Sequence, residues 1–359
     1  MGISSSKSSG HMALVQLPLR IGLIGCGAVG RLHAERLSAD GRAAIRVCCD
    51  PSAPAAEALR RRYAPEAAVE TDVVEALDRH ALDAVVISSP TLLHYEQTCL
   101  AFDRGLDVLC EKPLAASREQ IVDLIARHQR MQRILCVAYQ RRYKSAYQTA
   151  RRELTERAER YGPLQQVHIF VCERWEQTIH GTWRDDPRVG AGYFGDAGSH
   201  QIDVVNHITG QRPVAIYATS DRRASHVEIV TTALARLEGG AGLTAHFVGD
   251  ANHWREDIHF HCRDADLILR STAVTHADVF RGGENRLEPL TDLEAESSPD
   301  RALIDAIVDG TPTLSPAEVA LPMFDWMAGV LRSIEQNRWI ELPLEGGYGD
   351  VGTVSSSRL

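Results

Sequence analysis

The sequence contains no apolar run approaching the roughly 20 residues that cross a bilayer as a helix, so no membrane-spanning helix is expected. It contains no C-x-x-C pair. Its eight cysteines, Cys26, Cys48, Cys49, Cys99, Cys110, Cys136, Cys172 and Cys262, are scattered, and several fall inside apolar, strand-like runs. Buried free thiols in a reducing compartment account for that spacing better than a disulfide framework, so a cytoplasmic location is expected. Positive charge is not in excess: 39 Lys and Arg stand against 48 Asp and Glu, a net charge of −9. That balance argues against general binding to nucleic acid or to an anionic membrane, while leaving room for a small anionic substrate in a local basic pocket. There is no internal repeat, no low-complexity stretch beyond the two ends, and no secretory signal pattern.

Hydrophobic residues make up 44% of the chain and charged residues 24%, the proportions of a globular protein. At 359 residues the chain exceeds one ordinary core, so two domains are expected. Residues 1–12 read as an added leader and residues 346–359 as a tail. Between them, residues 18–142 alternate short apolar runs with helical patterns. RIGLIG (20–25), IRVCCD (45–50), DAVVISS (83–89), VLC (108–110) and ILCVAY (134–139) read as strands, with a weaker one near 67–70. Helices fill the intervals, one ending at Gly105 and one entered through Ser117 and Gln120 at capping-box spacing. Continuous apolar strands alternating with amphipathic helices predict a doubly wound parallel sheet.

Residues 143–345 differ. After a helix near 145–161, the runs LQQVHIFVCER, PVAIYATS, HVEIVTTALARLEG, GLTAHFVGD and DIHFHCRDADLILR alternate apolar and polar positions. That pattern predicts an open, mainly antiparallel sheet, and so an α/β domain followed by an α+β domain. A helix over 197–210 interrupts the strands. Two closing helices, near 300–309 and 316–337, can pack back on the first domain; Ser315 is expected to cap the second.

GCGAVG (25–30) fits G-x-G-x-x-G, follows a strand and opens a helix, and Asp50 ends the next strand. That context is a dinucleotide fingerprint. Gly25 permits the turn, Gly27 lets a pyrophosphate approach the backbone N–H groups, and Gly30 packs helix on strand. Asp50 would accept from ribose hydroxyls and repel a 2′-phosphate, which favours NAD over NADP. Arg60–Arg62 lie too far along the next helix to read that phosphate. The segment VLCEKP delivers Glu111 and Lys112 to the carboxyl edge of the sheet, where ligands bind in this topology. SSPTLLH (88–94) lies at the neighbouring strand end. There His94 could bond Glu111 or merely fill space. Asp196 and His200, four apart in GDAGSH, share a face if helical. A carboxylate there would favour the protonated imidazole and raise its pKa; the alternative is a helix cap beside a surface histidine. Asp203 and His207, further along, read by default as helix-surface residues. His259 and His261 share a strand face without a third ligand, so no metal site is expected.

The set GLIGCGAVG, CCDP, VVISSPTLLH, CEKPLA and GYFGDAGSHQID resembles the glucose–fructose oxidoreductase/inositol dehydrogenase/MocA family over about residues 18–344. The resemblance implies a Rossmann domain and a C-terminal domain whose open sheet packs against another subunit, giving a homodimer or homotetramer. It implies Lys112, Asp196 and His200 as the catalytic set. The expected cofactor contacts are Gly25, Gly27, Ala28, Val29, Gly30, Asp50, Ser88, Ser89, Pro90, His94, Glu111 and Lys112. YQRRY (139–143) can bring Gln140, Arg141 or Arg142 to the pocket, and Arg142, Trp183 and Arg184 are the substrate candidates. The expected reaction is NAD-dependent oxidation of a secondary alcohol on a sugar, cyclitol or related polyol, with hydride passing to nicotinamide C4. Two alternatives stand beside it: a glycosidase or lyase reaction through transient sugar oxidation, and a non-catalytic NAD sensor.

Overall fold

A computed structural model describes residues 16–187, 192–273, 276–283 and 286–344. The first strands and helices are β1 (Leu19–Ile24), α1 (Ala28–Ala39), β2 (Ala43–Cys49), α2 (Ala53–Tyr63), β3 (Ala68–Glu70), α3 (Val73–Arg79), β4 (Ala84–Ile87), α4 (Thr91–Asp103), β5 (Asp107–Cys110), α5 (Arg118–Met131) and β6 (Leu135–Val137). The strands form one parallel sheet in the order β3-β2-β1-β4-β5-β6, with the order reversing beside β1. Every residue of β4 and β5 is buried, as a sheet covered on both faces requires. The boundaries follow local chemistry. Gly105 adopts φ +70° just after α4, and Ser117 accepts the Gln120 amide at 3.3 Å to open α5. The Gln120 side chain returns to the Ala116 amide at 3.2 Å rather than to Ser117, so the capping box is displaced by one residue.

The later elements are α6 (Ser145–Thr155), β7 (Leu164–Cys172), α7 (Glu176–Ile179), α8 (Gly192–Thr209), β8 (Pro213–Asp221), β9 (Val230–Leu237), β10 (Gly242–Val248), β11 (Arg255–Cys262), β12 (Asp266–Ala273), β13 (His276–Gly283), β14 (Arg286–Pro289), α9 (Pro299–Asp309), α10 (Ala320–Gln336) and β15 (Ile340–Glu341). The described strands make a second sheet in the order β14-β13-β12-β11-β7-β10-β9-β8-β15. Its one parallel pairing is β7 with β10; the rest are antiparallel. One face buries Val167, Ile169, Val171, Phe247, Ile258 and Phe260 in a core shared with α8 and α10. The other face carries His168, Phe170 and His246 outward.

Two expectations are corrected and one strand pairing is added. DIHFHCRDADLILR is not one strand but the hairpin β11–β12, turning at residues 263–265. The pairing of β13 with β14 was not anticipated, because Gly282 and Gly283 weaken the strand signal there. Ser315 does not cap α10. Its hydroxyl meets Tyr143 Oη at 2.8 Å, and its carbonyl accepts the Val137 amide at 2.9 Å, while α10 starts five residues later.

The core of the first sheet has two faces. Leu19, Ile21 and Leu23 pack with Leu37 of α1 and with Leu303 and Ile304 of α9, so a late helix completes the early sheet. The opposite face, with Val85, Ile87, Val108, Phe102 and Leu124, runs continuously into the core of the second sheet. The strand ends and α8 are therefore held against one another by a shared apolar interior. Among the described residues, no helix is long and apolar enough to cross a membrane. The eight cysteines are free, and all but Cys99 are buried.

Candidate active site

The glycine turn has the shape a pyrophosphate needs. Gly25 sits at φ +93°, and a Cβ there would lie 2.6 Å from the Ser88 backbone carbon. A Cβ on Gly30 would lie 2.1 Å from the Gly25 carbonyl oxygen, so only glycine lets α1 approach β1 this closely. A Cβ on Gly27 would meet nothing within 4 Å. Gly27, Ala28 and Val29 are exposed at the start of α1, and no side chain caps its first amides. Open space, free N–H groups and the positive end of a helix dipole fit the phosphates of a dinucleotide. Asp50 braces this turn: its carboxylate accepts the Cys26 amide and the Ser52 amide, each at 2.8 Å.

The neighbouring strand end is more of a brace than a contact surface. Ser88 donates to the Gly25 carbonyl at 2.8 Å, and Ser89 donates to Gln97 at 2.5 Å. Pro90 is exposed at the N-cap of α4. His94 is 1% exposed and does not bond Glu111. Its Nδ1 lies 2.8 Å from the Pro113 carbonyl and its Nε2 2.8 Å from the Ser89 carbonyl, which ties the two strand ends together. Burial pulls its pKa down, against the two carbonyls and the Glu111 charge.

Lys112 and His200 converge. The Lys112 ammonium donates to the Asp196 backbone carbonyl at 3.1 Å, the carbonyl one helical turn before His200. His200 Nδ1 is buried without a hydrogen-bond partner. Its pKa lies well below the usual imidazole value, first because of burial and then because of the Lys112 and Arg141 charges. The expected upward shift from Asp196 is overturned. Asp196 lies inside α8 rather than at its start, and its carboxylate instead accepts from Trp175 Nε1 at 3.3 Å. Nearby Glu173, just after β7, has a raised pKa through burial and then the Asp196 charge.

Arg142 is not a pocket residue. It is buried, donates to Asp203 through both Nε and Nη2 and reaches the Leu314 carbonyl at 2.7 Å. Asp203 and His207 are accordingly buried, not surface residues. The adjacent Arg141 takes the place expected of Arg142. It forms a buried ion pair with Glu256, which also accepts from Gln201 at 2.6 Å and from Tyr147 at 2.8 Å. Burial opposes ionisation of Glu256, but Arg141 and these donors outweigh it and hold the carboxyl below its usual range. Arg184 is exposed in a short turn over Trp183–Asp185; the Trp183 side chain lies outside the described residues. Sequence reasoning missed Glu256, Tyr147, Glu173 and Trp175. The one local signal was Gln201, adjacent to His200.

These features define a class: a Rossmann-type dinucleotide-binding protein joined to a mainly antiparallel sheet domain. Residues 19–139 match the model of the oxidoreductase family with an NAD-binding Rossmann fold, and residues 147–267 match the GFO/IDH/MocA C-terminal domain. The chain belongs to the GFO/IDH/MocA family and is an NAD-binding oxidoreductase. It is 22% identical to inositol 2-dehydrogenase of Rhizobium meliloti (strain 1021) over 340 residues, 91% of this chain and 100% of that protein. It is 27% identical to D-glucoside 3-dehydrogenase of Escherichia coli (strain K12), over 55% of this chain and only 56% of that protein. Its fold matches the WlbA dehydrogenase of Bordetella pertussis, solved with NADH and UDP-GlcNAcA, with TM-score 0.79 at 21% identity over 91% of this chain and 99% of that one.

Proposed function

We propose that this chain catalyses the reversible oxidation of a secondary alcohol on a sugar, cyclitol or related polyol, using NAD. The observation that carries this reading is the buried, unpartnered His200 Nδ1 beside the Lys112 ammonium. A bound nicotinamide would supply the hydride acceptor. Lys112 spends one donor on the Asp196 carbonyl and keeps two for a substrate oxygen, where it would stabilise developing negative charge. His200, held neutral, is ready to take the hydroxyl proton. Asp196, exposed and anchored by Trp175, would hold a neighbouring hydroxyl rather than tune the imidazole.

Each Asp50 oxygen accepts one backbone amide and retains a lone pair for a ribose hydroxyl, while the charge opposes a 2′-phosphate. This supports NAD over NADP, although one relative is named an NADP-dependent scyllo-inositol dehydrogenase. The outward sheet face, with Phe170 39% and Leu234 40% exposed, is the proposed contact for a dimer or tetramer. The free, buried thiols support a cytoplasmic location.

The test is NADH absorbance with inositols, aldoses, glucosides, amino sugars and sugar nucleotides, run with NAD and with NADP. Lys112→Ala and His200→Ala are measured beside NAD affinity. Lost turnover with intact affinity supports the reading. Near wild-type turnover in both variants overturns it, and substrate conversion without net NADH points instead to transient oxidation followed by elimination.

A further inference from the structure

His33 faces inward from α1, three residues beyond Gly30, and is 1% exposed. Its Nδ1 lies 2.7 Å from an oxygen of Asp300, also 1% exposed, in the first turn of α9. Its Nε2 lies 3.2 Å from Glu111 Oε1, and Glu111 Oε2 accepts the Lys112 backbone amide at 3.1 Å. Arg36, one turn along α1, reaches the second Asp300 oxygen at 3.4 Å. These are the charged groups that face His33: Asp300 from α9, Glu111 from the end of β5, and Arg36 behind Asp300 on its own helix. Ionised carboxylates only accept hydrogen bonds, so both ring nitrogens must donate and the imidazole is a cation. Burying these charges is costly, and apolar side chains would fill the space more cheaply.

The geometry points to a positional role: we propose that His33 is a positioning residue that locks the Lys112 peptide to the helix carrying the dinucleotide turn. Helix α1 starts at the phosphate-binding turn, and its next turn grips the residue before Lys112. The side chain of Lys112 in turn reaches α8 beside His200. One rigid chain of contacts thus sets the ammonium relative to both the cofactor turn and the imidazole. Asp300 suits the start of α9, where the helix dipole favours a negative charge and Ser298 caps the first turn by accepting the Arg301 amide at 3.1 Å. The pKa of His33 agrees: burial pulls it down, but Asp300 and Glu111 outweigh burial and raise it to about 9. This inference rests on Lys112 as the group that meets the substrate oxygen.

The test reads His200 and needs no substrate. In full-length protein with 15N-labelled histidine, the His200 midpoint is followed by NMR in wild type, His33→Gln, Lys112→Met and the double variant. Removing the Lys112 charge raises that midpoint. If His33 acts by placing Lys112, His33→Gln raises it too, and the shift shrinks at least twofold in the Lys112→Met background. A double-mutant cycle separates this coupling from the direct charge effect of His33, which persists in both backgrounds. Equal shifts in both backgrounds, or none in either, overturn the proposal. Should His33→Gln fail to fold, Glu111→Ala enters the same cycle. Its lost negative charge alone lowers the midpoint, so a rise shows a displaced ammonium. NAD affinity within about threefold of wild type shows that the turn itself is intact. If Lys112→Met leaves the His200 midpoint unchanged, Lys112 is not beside His200 and the proposed function fails first.

Discussion

Two histidines stand on either side of Lys112 and differ in charge, one a cation and the other neutral. Below the lysine, His33 lies between Asp300 and Glu111, with both ring nitrogens occupied. On the other side, His200 faces the charges of Lys112 and Arg141, with Nδ1 unpartnered. Burial drives both rings toward neutrality. At His33 two carboxylates reverse that drive; at His200 two cations reinforce it. The same side chain is thus a fixed cation in a brace at His33 and a neutral ring with an unpartnered nitrogen at His200. What differs most is the sign of its neighbours.

The comparison breaks most severely if the proposed base is removed. His200→Ala and Lys112→Ala are expected to lower turnover by roughly 10²–10⁴-fold, the range for general acid–base groups. Stopped-flow or steady-state NADH absorbance, with NAD affinity by titration, checks this.

Arg141 completes the cationic side only while Glu256 pays for its burial. Glu256→Gln leaves a buried guanidinium without its counter-charge and is expected to cost about 3–5 kcal/mol in denaturant unfolding. A loss below about 1 kcal/mol would show that the pair is solvated.

The brace should also register in stability against pH. The His33 pKa is about 9 in the folded chain and about 6.5 unfolded. A raised folded pKa stabilises fully below about pH 6.5, and the gain is lost as pH rises through about 9, by an amount on the order of 3 kcal/mol. His33→Gln should flatten that decline. The opposite sign applies to the base: the acid limb of oxidation that belongs to His200 lies below the usual imidazole pKa, not above it. A limb above about pH 6.5 that moves with His200 would contradict the low value.

The smallest expected effect is at the cofactor turn. Asp50→Ser should narrow the preference for NAD over NADP by about tenfold, near 1.4 kcal/mol, measured as the ratio of kcat/KM values. It should leave both histidines untouched.

The difference between these regions also explains what could be read from the sequence. GCGAVG, Asp50 and the Glu111-Lys112 pair are local: strand, turn and helix lie within a few residues, and the glycine turn adopts the geometry that its spacing implies. The brace joins His33 to a residue 267 positions away, and Arg141 to one 115 positions away. No periodicity marks such pairs. Asp196 and His200 were legible as a four-residue step, but not as members of a helix that already begins at Gly192. Their electrostatics were misjudged for that reason: the carboxylate turns to Trp175, and the imidazole pKa is lowered first by burial and then by the Lys112 and Arg141 charges. Choosing Arg142 over Arg141 was a similar miss. Adjacent residues in a tight turn point apart, and only the long-range partners, Asp203 and Glu256, tell them apart.

The central claim is that one imidazole is charged and the other neutral across the same pH range. Ring 15N shifts of labelled histidine, assigned by His33→Gln and His200→Ala, measure both at once. The account predicts that at about pH 7.5, between the usual imidazole pKa and that of His33, the His33 signals are those of an imidazolium and the His200 signals those of a neutral ring. A protonated His200 or a neutral His33 at that pH would contradict it.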